Sequence, residues 1–146
     1  MKNILGLLLI ICFACKGQKE ISKEKQQVVN NNLVLLMEDN YSSLSTADNV
    51  IIRDQKALQK FFAKINRVRK PGIPLPEIDF SKNVLIVVCE GEHAQGDSVA
   101  LEVLKETEEE IELHTKKYKG KVISSAMVSP FKVYKMALSK KEIIIK

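Results

Sequence analysis

Histidine and cysteine are scarce in this chain, at two and three residues of 146, and tryptophan is absent. No HExxH motif and no closely spaced cysteine pair occurs, which removes the usual sequence patterns for zinc. Phosphate-binding glycine loops, EF-hand spacing and a nucleophile elbow are missing too, so neither a cofactor nor a catalytic group is expected. No apolar run reaches the about 20 residues that span hydrocarbon. No internal repeat is apparent. The formal charge is +5, and its lysines are distributed along the chain without the pattern of a nucleic-acid module, so nucleic acid is not an expected partner.

What is present begins at the N-terminus. Lys2 supplies a positive charge, Ile4 to Ala14 form an apolar run of eleven, and small Ala14 precedes Cys15. This pattern predicts an export signal over residues 1–14, cleavage before Cys15, and attachment of lipid to the Cys15 thiol. The site resembles a bacterial lipobox, with Cys12 three residues before the cleavage point where Leu is commoner. The expected location is the bacterial cell envelope, with the outer membrane as the anchoring bilayer. A secretory signal cut after Ala14 without lipidation is the alternative. With Cys12 removed and Cys15 lipidated, Cys89 has no disulfide partner and is expected to be a buried, inert thiol.

Residues 15–32 are polar and read as a tether, because such a segment cannot bury enough apolar surface to order itself. Residues 33–146 are then the length of one domain. Leu33–Met37, Tyr41–Leu44 and Val50–Ile52 are β-compatible stretches. Asp54 is a good N-cap, and Leu58, Phe61, Phe62 and Ile65 lie at i, i+3, i+4 and i+7, which predicts an amphipathic helix over 55–66. Lys56, Lys60 and Lys64 would form its solvated face. The proline-rich stretch 71–76 breaks regular structure.

Val84–Val88 is continuously apolar, the signature of a central strand covered on both faces and flanked by antiparallel hairpins. Alternation over 98–105 and 111–115 predicts two strands joined by an acidic turn at Glu106–Glu109. Two further strands, Phe131–Leu138 and Glu142–Ile145, flank Ser139–Lys141, with Ser129-Pro130 leading into an edge strand. The expected class is α+β, a mainly antiparallel sheet with one principal amphipathic helix.

Leu75-Pro76-Glu77-Ile78-Asp79-Phe80-Ser81-Lys82, the apolar strand and Glu90-Gly91 after it, the loop from Gly91 to Ser98, the hairpin of 98–117 and Val128-Ser129-Pro130-Phe131-Lys132-Val133-Tyr134 form a recognisable set. Together they resemble the C-terminal domain of PrcB-type protease-complex lipoproteins, over about residues 50–146. The resemblance implies an exported, non-catalytic accessory protein of a family named for a subunit that supports a surface protease, without implying that every such domain binds a protease. It carries no catalytic residues over. The sequence departs from the pattern at Gly96-Asp97-Ser98, where a glycine pair followed by an aromatic is common.

Glu90, Glu92, His93 and Asp97 cluster around Gly91 and Gly96, and Glu92, His93 and Asp97 are the residues a ligand loop would use. A glycine-built surface turn explains the same pattern. Ser124, Ser125 and Ser129 have no local partner that would make one a nucleophile. The expected function is association with a co-exported protein, through a sheet edge or the loops at 71–76 and 91–97, with a protease as one such partner. The alternative is binding of a small polar or glycan ligand by the Glu92–Asp97 loop.

Overall fold

The computed structural model describes residues 33–122 and 124–146. The expected export signal, Cys15 and the tether lie outside the described residues. The chain forms strands β1 (Val34–Asp39) and β2 (Ala47–Ile52), helix α1 (Gln55–Ile65), then β3 (Asn83–Glu90), β4 (His93–Ala94), β5 (Ser98–Glu106), β6 (Glu110–Tyr118), β7 (Met127–Val128), β8 (Phe131–Ala137) and β9 (Glu142–Ile145). The fold is α+β and mostly antiparallel sheet, as the periodicity implied.

Four strands in the order β1-β8-β3-β2 form an antiparallel sheet, and β5-β6-β9 form a second sheet of three. Strand β3 is buried from Val84 to Cys89 because both its faces are covered. Leu85, Val87 and Cys89 join Phe131 and Val133 of β8 beneath Leu58, Phe61, Phe62 and Ile65 of the helix. Val84, Ile86 and Val88 join Tyr134 and Met136 against Leu101, Ile111, Leu113 and Ile143 of the smaller sheet. The result is a helix, a sheet and a second sheet, with a core on each side of the middle layer. Each fully buried Leu, Val or Phe in them contributes about 1.5–3 kcal/mol relative to exposure.

The helix begins where the sequence says it should. Asp54 is extended, and its carboxylate accepts the Ala57 N–H at 2.7 Å, closing the first turn. Lys56, Lys60 and Lys64 are exposed, as a solvated face requires. At the other end Asn66 takes over: its side chain donates to the Ile73 carbonyl at 2.9 Å and accepts the Ile73 N–H at 2.8 Å. This pair of hydrogen bonds orders the proline-rich return, from which Ile73, Ile78 and Phe80 pack against the helix-side core.

Four expectations need correction. Tyr41–Leu44 is not a strand: Tyr41 makes a single bridge to Ser129, and the chain then turns through Ser43 at φ 60°. The neighbours of β3 are antiparallel but not hairpin partners, because β2 is separated from it by the helix and β8 by β4, β5, β6 and β7. Strand β8 lies inside its sheet, not at an edge. Pro130 stands just before the ladder, where its missing N–H costs nothing, and its carbonyl accepts the Glu90 N–H at 2.9 Å. Finally, β8 and β9 part into different sheets, and β9 runs parallel to β6.

Candidate functional site

The loop after β3 is shaped by two glycines. Gly91 has φ 73°, and a Cβ there would lie 2.7 Å from the Ala47 nitrogen; one on Gly96, at φ 148°, would meet the Lys121 carbonyl oxygen at 2.8 Å. Both positions therefore exclude larger residues. Between them, His93 and Ala94 form β4 and pair with Val128 and Met127 of β7, so part of the expected loop is a two-stranded ribbon.

The residues singled out for a ligand loop do not converge. Glu92 is exposed, and its backbone N–H donates to the Ser45 carbonyl at 3.1 Å. His93 turns back: its Nε2 lies 3.4 Å from Glu90 Oε2, and Nδ1 lies 2.9 Å from its neighbour's carbonyl, that of Ala94. Asp97 points elsewhere and accepts the Gly120 N–H at 3.3 Å. Among the described residues no three His, Cys, Asp or Glu side chains are grouped to hold a metal ion.

Glu90 is the member the sequence undervalued. Its side chain is 4% exposed, and Oε1 accepts the Val99 N–H at 3.1 Å. Lys132, 16% exposed on β8, donates to the Val99 carbonyl at 2.7 Å and lies 3.7 Å from Glu38. Two residues further on, the Leu101 N–H donates to the Tyr134 hydroxyl at 3.1 Å, and burial pushes that phenol's pKa up. Strand β5 is an edge strand, and three of its outward backbone groups, the Val99 N–H and carbonyl and the Leu101 N–H, are thus taken by side chains from the neighbouring sheet. Alternation in 98–105 reveals a strand but not an edge sealed from outside; only the pairing order does.

Glu38, Asp39, Glu90, Asp97, Ser98 and Lys132 border an open cleft of about 410 Å³. Beside it Asp39 accepts from Arg69 through both carboxylate oxygens, at 2.5 and 3.0 Å, and Arg69 also reaches the Tyr41 carbonyl at 2.9 Å. The guanidinium holds the Asp39 carboxyl below its ordinary value, against desolvation and assisted by the Tyr41 N–H.

The serines are structural where the geometry is clear. Ser129 Oγ accepts the N–H groups of Ser42 and Ser43, each at 3.2 Å, and so fills the small nest made by the turn at Ser43. Ser124 Oγ accepts the Ala126 N–H. His114 lies on the exposed face of the second sheet, opposite Glu102. Cys89 sits in the helix-side core, where burial raises its thiol pKa to about 11, so it is a poor nucleophile near neutrality.

Strand β1, at one edge of the larger sheet, differs from β5. No backbone group of Val34–Glu38 is hydrogen bonded on its outer side among the described residues, and Val34 and Leu35 are 49% and 46% exposed. No described helix is long and apolar enough to cross a membrane. Comparison with known proteins found no matching family model, no matching curated protein and no matching solved structure.

Proposed function

We propose that this chain is an exported lipoprotein, anchored through Cys15, that binds and stabilises a co-exported protein, with a protease as the partner the PrcB-type resemblance suggests. The single observation that carries the binding mode is the contrast between edges. Three outward groups of β5, the Val99 N–H and carbonyl and the Leu101 N–H, are met by Glu90, Lys132 and Tyr134, whereas no outward group of Val34–Glu38 is hydrogen bonded among the described residues, and Val34 and Leu35 are exposed. An open strand edge is a template for an extended segment of another chain, which adds backbone hydrogen bonds while its side chains supply specificity.

Crosslinking of the full chain in its native envelope tests this. A discrete protein adduct is expected, lost with Val34→Lys and Leu35→Lys together, and retained when Glu92, His93 and Asp97 are all changed to Ala. Replacing Cys15 with Ser should abolish fatty-acid labelling and release the protein from membranes. An adduct unchanged by the lysine pair removes the edge from the mechanism.

A second reading, capture of a small polar or glycan ligand, draws support from the cleft onto which Asp97 opens. It replaces the first if no protein adduct forms and the purified chain binds such a ligand only with Glu92, His93 and Asp97 intact.

A further inference from the structure

Strand β6 ends in a basic segment that neither core uses. Lys116, Lys117, Lys119 and Lys121 fall within six residues around Tyr118, and all five are exposed. Glu102 engages Lys116 at 3.3 Å and accepts the Tyr118 hydroxyl at 2.9 Å, which fixes the ring on the sheet. Lys117, Lys119 and Lys121 have no ion-pair partner among the described residues. Asp97, close by, takes the Gly120 N–H.

Apolar groups lie at the same end. Tyr118 is 42% exposed, Val122 70% and Met127 57%. The loop at Gly96 gathers them: the Val122 Cα would lie 3.1 Å from a Cβ on Gly96, and Met127 pairs with Ala94 two residues before it. Cations are therefore interleaved with side chains that favour a membrane interface.

We propose that this end of the molecule docks on the anionic headgroups of a lipid bilayer. The patch contains no arginine; Lys117 borders an open cleft with Asp48, Asn49 and Thr115, and Lys119 and Lys121 stand exposed beyond the strand, a spread of hydrated charges that suits a diffuse anionic surface better than a particular carboxylate. The bilayer it would meet is the one bearing the lipid anchor, and in that respect the proposal rests on the function proposed above. Covalent geometry sets the reach: residues 15–32 extend to about 60 Å, against about 30 Å for the longest strands. The basic end lies at the far end of the sheets from the start of β1, since β1 closes on Phe131 at Asp39 and Tyr118 pairs with Ser98. A tether of that length lets the domain turn this end back to the surface.

The test uses the chain from residue 15 onward with Cys15→Ser, which keeps both cores and has no lipid of its own. Its cosedimentation is measured with vesicles of phosphatidylcholine alone and of phosphatidylcholine mixed with phosphatidylglycerol. Binding to the anionic vesicles is expected, weakened by salt, and about 100-fold lower for K117Q/K119Q/K121Q. An unchanged circular dichroism spectrum and urea midpoint establish that the triple variant is folded. Equal binding by both chains, or indifference to lipid charge, overturns the proposal. Retention on a polyglutamate resin without vesicle binding also overturns it and points to an acidic protein. Fatty-acid labelling of the unaltered chain reports on the anchor separately, so either idea can fail alone.

Discussion

Glu90 and Lys132 together hold both outward groups of one residue: the carboxylate accepts the Val99 N–H and the ammonium donates to the Val99 carbonyl. They come from adjacent strands, β3 and β8, of the larger sheet, while Val99 belongs to the smaller one. The pair thus joins the two sheets with charge-assisted hydrogen bonds at the mouth of the inter-sheet core. Such bonds are stronger than neutral ones, and breaking one leaves a polar group stranded.

Glu90→Ala should therefore lower stability by about 2–3 kcal/mol, and Glu90→Gln by less, because the amide oxygen can still accept from Val99. Urea unfolding reads the difference. Equal losses for the two variants would show that the carboxylate's acceptor role is not what matters.

Phe61 packs edge-to-face on Phe62 and Phe131, at ring-centroid distances of 5.8 and 6.0 Å, and thereby ties the helix to β8. Removing the ring in Phe61→Ala should cost about 3–5 kcal/mol, whereas Lys60→Ala, on the solvated face, should stay within about 0.5 kcal/mol. Comparable effects in thermal melts of both variants would contradict the buried stripe.

The pair formed by Asp39 and Arg69 gives stability a pH dependence with a definite sign. Arg69 depresses the carboxyl in the folded state, so the contribution is complete above the unfolded value of about 4 and disappears as pH falls through the lower folded value. Arg69→Met should cost about 1 kcal/mol at neutral pH, and the gap from the unaltered protein should close on acidification. A gap constant across that acid range would mean that packing of the arginine stem, not charge, is responsible.

How much of this was legible in advance depends on the range of the interaction. The stripe of Leu58, Phe61, Phe62 and Ile65, the Asp54 cap and the doubly covered run at Val84–Val88 are local patterns, and each was readable from spacing alone. The pairing of β9 with β6, and the interior place of β8, were not, because strand alternation carries no address for its partner. The same limit applied to the site. Glu92, His93 and Asp97 were grouped because they are close in sequence, yet backbone geometry turns them apart. Lys132, some 40 residues from Glu90, was noticed only as part of a resemblance, since nothing nearby signals which peptide its ammonium will meet.

Strand β8 sits between β1 and β3 and supplies Phe131 and Val133 to one core and Tyr134 and Met136 to the other. A ribosome must therefore finish nearly the whole chain before either core can close, and β1 waits for a partner made roughly 100 residues later. Contacts of such wide sequence separation form slowly. Under the export proposed above, this lateness would be useful: an emerging polypeptide that lacks its central strand cannot lock prematurely, and would stay fit for translocation until its last segment is released.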